Sequence, residues 1–162
     1  MAAANALYTN AREYIQVADH ILARTYMVVK DQKLLFAAVE NIFLGLECWM
    51  AAAITDASRL KRKTKKEIST DKTTANFEKL MRAFKAQAAK KYTVTAKELQ
   101  FIMDMHTLIE DHKKSDVEFA RKDAYVICKP GYDATIVSYD VANMWLAQAR
   151  KIGNKIELMK LK

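Results

Sequence analysis

Histidine, glutamate and arginine side chains stand close together in the sequence at a spacing that suggests chemistry. His106 and Glu110 are four residues apart, which on a helix places them on one face, where they could share a metal ion, although two ligands do not make a site. His112 and Arg121 follow, and the guanidinium of Arg121 could bind a carboxylate or a phosphate through two parallel hydrogen bonds. These four residues form a candidate polar site.

Each of these residues also has a structural interpretation. His106 could be a partly buried histidine with one hydrogen-bond partner, and His112 lies near a predicted helix C-terminus, where the helix dipole favours cations. Arg121 could form an ion pair with Glu118 or Asp123. These interpretations compete with the functional one at every position.

Complete catalytic and metal-binding motifs are missing. No histidine has a glutamate three residues before it, as di-iron bundles require. The sequence also has no glycine-rich phosphate loop, no GxSxG turn and no zinc spacing of Cys and His. We therefore expect no cofactor, no metal and no catalytic residues, and an enzyme is the least favoured class.

Basic residues predict a second kind of site, one that binds phosphates. Residues 59–97 carry 13 basic and 3 acidic side chains, whereas residues 1–58 carry 4 and 6, and residues 98–162 carry 10 of each. The net charge of +8 therefore comes from one segment, centred on the run RLKRKTKK. Because such a run repels itself and stays solvated, we expect a basic polar loop over residues 59–75. The predicted phosphate- or nucleic-acid-binding residues are Arg59, Lys61, Arg62, Lys63, Lys65, Lys66, Arg82 and Lys85.

Hydrophobic periodicity predicts five helices in a single domain that spans residues 1–162. Their expected ranges are Ala6 to Val29, Lys33 to Leu60, Asn76 to Lys90, Thr95 to Lys114, and Asp140 or Val141 to Ile152. Thr95 and Glu98 form a capping box at the start of the fourth helix. A similar pattern at Ser115 and Glu118 predicts a short helical turn from Val117 to Arg121, and Gly153 is expected to end the last helix.

Two short β-rich runs interrupt the helical pattern. AYVIC and ATIVSY are rich in β-branched and aromatic residues, and KPGYD with its Pro-Gly pair separates them. The predicted fold is therefore a mostly α helical bundle of about five helices with a short C-terminal β-hairpin before the last helix.

Composition excludes several fold classes and, together with the N-terminal sequence, indicates the cellular compartment. Three glycines and one proline in 162 residues are too few for barrels, sandwiches and doubly wound nucleotide folds. Cys48 and Cys128 are far apart and form no disulfide framework. The N-terminus lacks the features of a signal peptide, so that we expect a cytoplasmic protein.

The second predicted helix is apolar nearly all round, as in a central bundle helix or a membrane span. Nine Leu, Ile, Phe and Val residues between Leu34 and Ile54 favour insertion by roughly 0.5 kcal/mol each. Glu40 and Glu47 oppose it by about 2–3 kcal/mol each, which nearly cancels the gain. We expect no membrane span, and expect this acidic stripe to meet basic side chains within the chain or across an interface.

The order of the elements resembles that of the HEPN superfamily, small all-α bundles associated with nucleotides and RNA. The stretch EDHKKSDVEFARKDAYVIC is also similar to uncharacterised archaeal proteins of this build. Ribonuclease members carry an arginine followed after four to six residues by a histidine, and no arginine in this chain has a histidine at that spacing. The resemblance therefore implies a non-catalytic member.

These observations favour a non-catalytic binding module whose basic surface holds nucleic acid, RNA or DNA, or nucleotide phosphates. The alternative is a structural or interaction protein, a homodimer or a subunit of a heteromeric complex, because the second helix has surplus apolar surface and dimers hide such surface across a two-fold axis. The basic loop itself has a simpler explanation, a solubilising segment without the interleaved aromatic residues of single-strand binders.

Overall fold

The chain folds as a helical bundle with a small antiparallel sheet inserted before its last helix, in a computed structural model that describes residues 2–61, 74–129, 131 and 133–160. A π-helical turn, Ile21–Thr25, joins α1 to α2 without a break, so that the chain forms five long helical rods in this part. The elements are α1 (Ala2–His20), α2 (Tyr26–Val29), α3 (Lys33–Lys61), α4 (Thr74–Gln87), α5 (Ala96–Lys114), β1 (Glu118–Arg121), β2 (Ala124–Cys128), β3 (Ala134–Ser138) and α6 (Tyr139–Lys160). The predicted fold class is confirmed.

Helix α3 is the centre of the bundle, because its apolar residues occur on all sides. It packs against α1, α4, α5 and α6, and against the sheet. Leu35, Ile42, Leu46 and Met50 are almost completely buried. The apolar surface of α3 is thus covered within the chain, and Glu40 lies on its exposed side.

The π-helical turn in the first rod has a cause in the spacing of its buried residues. Ala18, Leu22 and Tyr26 follow one another in two successive steps of four, and all three are buried. In an α-helix each step of four turns the chain about 40° beyond a full turn, so that two such steps would carry the stripe off the core. The wider π-turn, in which the N–H of Tyr26 donates to the carbonyl of Ile21, keeps Leu22 and Tyr26 in line with the core.

The sheet has three strands in the order β1-β2-β3, one more than the predicted hairpin. The expected helical turn at Val117–Arg121 is wrong: β1 occupies Glu118–Arg121 and pairs with β2, with Phe119 opposite Val126. Ser115 is the C-cap of α5 rather than the start of a helix, and its Oγ lies 2.9 Å from the carbonyl oxygens of both Val117 and Cys128, which share its one hydroxyl hydrogen. Pairing satisfies the backbone groups on the second edge of β2, which a helical turn would have left without partners.

Gly153 does not end α6, which continues to Lys160. The residue is buried inside the helix, and a Cβ atom added there would lie 2.2 Å from the indole ring of Trp49. This glycine lets α6 approach α3 closely. Its role is therefore to allow close helix packing and not to end the helix. The capping box at Thr95 and Glu98 is confirmed, with both reciprocal hydrogen bonds present.

Candidate functional site

Three cations project from the outer face of α4. Lys79, Arg82 and Lys85 follow one another at steps of three and are all exposed, whereas the opposite face of the helix is buried against α3 and α5. None of the three forms an ion pair with an acidic residue of the described ranges. Glu78 is exposed on the same side, so that this cationic ridge carries three positive charges and one negative charge.

The cationic ridge contains two of the eight predicted phosphate-binding residues, Arg82 and Lys85, and adds Lys79. The others come from the basic run before α4. Arg62, Lys63, Lys65 and Lys66 lie outside the described residues, as do the side chains of Arg59 and Lys61. In the sequence the undescribed part of the basic run precedes the cationic ridge, and the polar stretch EISTDKTTAN separates the two.

His106 is held between aromatic rings. Its imidazole stacks on the ring of Phe77 with centroids 3.9 Å apart and planes 5° apart, and the ring of Phe43 lies 5.8 Å away. Burial lowers the pKa of His106 and outweighs the opposing pull of Glu110 and Glu78. The histidine thus joins α5 to α3 and α4 as a mainly neutral packing group.

The other members of the candidate polar site are dispersed. Glu110 accepts a hydrogen bond from Lys113, at 2.8 Å. Arg121 is exposed at the end of β1, opposite Ala124, and forms no ion pair with either predicted partner. The structure therefore does not gather His106, Glu110, His112 and Arg121 around one centre.

His112 instead belongs to a hydrogen-bonded trio that the sequence did not reveal. Its Nδ1 lies 2.6 Å from Glu118 Oε1, and the hydroxyl of Tyr125 donates to Glu118 Oε2 at 2.7 Å. The ring of Phe36 packs against the imidazole, with centroids 4.0 Å apart. Burial, together with the hydrogen bond to Glu118, raises the pKa of Tyr125 to about 12. At neutral pH Tyr125 is therefore protonated and donates its hydrogen bond to Glu118.

A signal for the trio was present in the sequence. In an antiparallel pair, directly opposite residues share a face, and Ala120 is opposite Tyr125. Glu118 stands two positions from Ala120 and so shares the inner face with Tyr125. Lys122 and Asp123 form the two-residue turn, with Lys122 at φ 52°, and recognising that turn would have given the register.

The trio positions an imidazole but surrounds it with few reactive groups. A carboxylate that accepts from Nδ1–H leaves Nε2 as the proton-accepting nitrogen, as in general bases. Across the described ranges, however, no three His, Cys, Asp or Glu side chains form a metal-binding group. Outside the trio, burial raises the pKa of the Cys48 thiol on α3 to about 11, which keeps this thiol protonated at neutral pH. The hydrogen bonds of the trio join the sheet to α5.

No protein family, curated protein or solved structure matches the chain. The stretch Lys33–Ala57 of α3 is long and apolar enough to cross a membrane by length and composition alone, and 61% of its most apolar window is buried inside the protein. The same residues thus serve as the core of the bundle.

Proposed function

We propose that the protein is a non-catalytic module that binds the phosphates of nucleic acids or nucleotides. The observation that carries this proposal is the cationic ridge of α4, whose three cations lack carboxylate partners in the described structure. Several other cations of the bundle are paired with carboxylates, among them Arg12 with Glu157, Arg150 with Asp19 and Lys155 with Glu98. Three unpaired cations on one helix face form a surface of positive potential, and the most basic run of the chain precedes them in the sequence.

The cations of this surface suit phosphate recognition without base readout. Lysine and arginine neutralise phosphates and release counterions, which makes binding strongly dependent on salt. The described part of α4 presents no exposed aromatic side chain on which bases could stack, since Phe77 and Phe84 are buried. We therefore expect binding with little sequence preference.

Fluorescence anisotropy with a short labelled RNA and a matched DNA duplex tests this function. Neutralising about five phosphates predicts a log–log salt slope of roughly −3.5 on single strands and −4.5 on duplex. Replacing Lys79, Arg82 and Lys85 with Gln should reduce the slope by about 2–3 and weaken binding equally for all sequences. Replacing the six predicted cations of residues 59–66 with Gln should reduce it further without changing the melting temperature.

A matched control removes the same charge from another surface. Lys114, Lys122 and Lys151 are exposed and unpaired in the described structure, and their triple Gln variant changes the net charge equally. Binding that falls as much in this control as in the cationic-ridge variant would reduce the effect to overall charge. No binding at low salt would refute the proposal.

A second function, that of an interaction subunit, is favoured by the outer face of the sheet. Phe119, Val126 and Ile136 form one cross-strand row, in which Phe119 and Ile136 are about half exposed and Val126 is covered between them. If this face mediates a homodimer, light scattering should show a mass near twice 18.5 kDa at micromolar concentrations. Replacing Phe119 and Ile136 with Thr should then restore the monomer, and a monomer at every concentration would leave only a heteromeric role.

A further inference from the structure

A groove opens between α5, α6 and the loop end of the sheet. Its volume is about 340 Å³, within the range of about 300–1,000 Å³ that small-molecule pockets occupy. Phe101, Leu108 and Trp145 contribute apolar surface to it. The groove is thus large enough for a fragment-sized organic ligand and apolar enough to desolvate one.

The charged side chains of the groove are mainly acidic. Asp104 and Asp111 line it from α5, and the only cation among the described lining residues is Lys129, which follows β2. Two carboxylates and one ammonium leave a net charge of −1 in a protein whose overall charge is +8. The local potential therefore favours a ligand of positive charge.

Asp111 lies at this place in an ion pair with Lys129. Its Oδ2 is buried and accepts no hydrogen bond within the described structure. Lys129 Nζ lies 3.1 Å from the same atom, which makes an ion pair, but not in hydrogen-bonding orientation. A carboxylate oxygen held by a charge contact alone keeps its hydrogen-bonding capacity, and a ligand N–H beside it would add the hydrogen bond that Lys129 does not make.

Asp104, the second carboxylate of the groove, is more exposed than Asp111 and contributes less directly to ligand binding. It stands two helical turns from Asp111 on the same face of α5, a separation of roughly 10 Å. Its carboxylate is exposed and accepts one hydrogen bond from Gln100, at 2.8 Å. One small cation cannot contact both carboxylates, so that Asp104 adds to the negative potential and Asp111 provides the direct contact.

We propose that this groove, the α5–α6 groove, binds a small organic monocation with a flat apolar body and an amidinium or ammonium head. The body lies against Phe101, Leu108 and Trp145, and the head donates to Asp111. Lys129 competes with the ligand for that carboxylate and sets the affinity. The site is independent of phosphate binding, because it uses other residues and the opposite charge.

Benzamidine is the probe, with benzamide as its neutral and benzoate as its anionic counterpart of the same shape. Isothermal calorimetry at constant ionic strength should show saturable millimolar binding of benzamidine, the affinity expected for a ligand of this size. Benzamide should bind about tenfold more weakly, the effect of losing one charged contact, and benzoate should not bind. Fluorescence of Trp145 should change on binding, and the change should be lost in Trp145→Phe.

Two substitutions with opposite expected effects make the test specific. Asp111→Asn should weaken benzamidine binding about tenfold, whereas Lys129→Gln should strengthen it about two- to threefold because it frees the carboxylate. Asp116→Asn, at an exposed residue that does not line the groove, should leave the affinity unchanged.

The result decides the proposal even if one variant fails to fold, because the selectivity among the three probes needs only the native protein. Equal binding of all three, or no saturable binding of benzamidine up to about 20 mM, would overturn it. Tighter binding in Lys129→Gln together with weaker binding in Asp111→Asn is the result we expect.

Discussion

At position 153 of α6 the space beside the backbone is filled by the indole ring of Trp49. The ring is buried, and its Nε1 donates a hydrogen bond to Glu157 Oε1 at 2.9 Å. Both the packing of the core and this hydrogen bond therefore hold the ring in place. Arg12 holds the same carboxylate through its Nε and Nη2 atoms. A single side chain, Glu157, thus ties α1, α3 and α6 together beside this close approach.

Gly153→Ala should therefore destabilise the protein, although alanine is the better helix former. The new Cβ would meet the ring at 2.2 Å, and overpacking of this kind costs about 1–3 kcal/mol. Better helix propensity returns up to about 1 kcal/mol. We expect a net loss of about 1–2 kcal/mol in the free energy of unfolding, and a melting temperature lower by roughly 2–8 °C. Urea and thermal denaturation followed by circular dichroism measure both.

The neighbouring residue provides the control for that substitution. Asn154 is exposed on the same helix, so that Asn154→Ala should be neutral or slightly stabilising. Trp49→Phe removes part of the ring, and in that background Gly153→Ala should be less damaging, a coupling that a double-mutant cycle detects. An unchanged stability of Gly153→Ala would mean that α6 can move away from α3 without loss.

At the scale of the elements, the long helices were predictable because each carries a continuous apolar stripe. The bounds of α3 and α5 agree with the predicted ranges to within about one residue. A short sequence pattern that fits both a helix and a strand gave the wrong element where contacts with distant parts of the chain determine the structure. The Ser115–Glu118 pattern resembles a capping box, yet no apolar stripe follows it, and β1 gains more by completing the ladder of β2.

The candidate sites were predictable to different degrees for a related reason. Arg82 and Lys85 could be placed on the outer face of α4 from periodicity alone, because exposure follows from the helical period. The contact of His112 with Glu118 depends on the register of a strand that the sequence did not predict. The α5–α6 groove depends on how two helices and a loop diverge, which no local pattern contains.

For the whole molecule, acid is expected to loosen the contact between α4, which carries the cationic ridge, and the rest of the bundle. His106 connects α5 to Phe77 of α4, and burial lowers its pKa below the ordinary 6.5. The folded protein therefore binds this proton less readily than the unfolded chain does. The stabilising effect of a neutral His106 is complete above about pH 6.5 and is lost as the pH falls below that value.

Urea denaturation at pH 7.5, 6.5 and 5.5 measures this loss, and His106→Gln isolates its source. The variant has no titrating group at 106, so that its free energy of unfolding should fall less between pH 7.5 and 5.5 than that of the native protein. The pH range separates His106 from Glu98, for which burial alone would raise the pKa. Hydrogen bonds from Lys155 and Thr95 outweigh that burial and lower the pKa of Glu98, so that its contribution is lost only below about pH 4.5.

The charges around His106 decide whether that expectation holds. Glu110 and Glu78 favour the protonated ring, whereas Lys113 and Lys114 disfavour it, so that neighbouring charges partly cancel and burial between aromatic rings prevails. A protonated His106 over the face of Phe77 would gain about 0.5–1 kcal/mol from a cation–π interaction, and this gain opposes the effect of burial on its pKa. If the native protein and His106→Gln lose equal stability between pH 7.5 and 5.5, the aromatic and acidic contacts compensate for burial, and α4 stays docked in acid. If only the native protein loses stability, protonation of His106 at its contact with α4 is the cause of the loss.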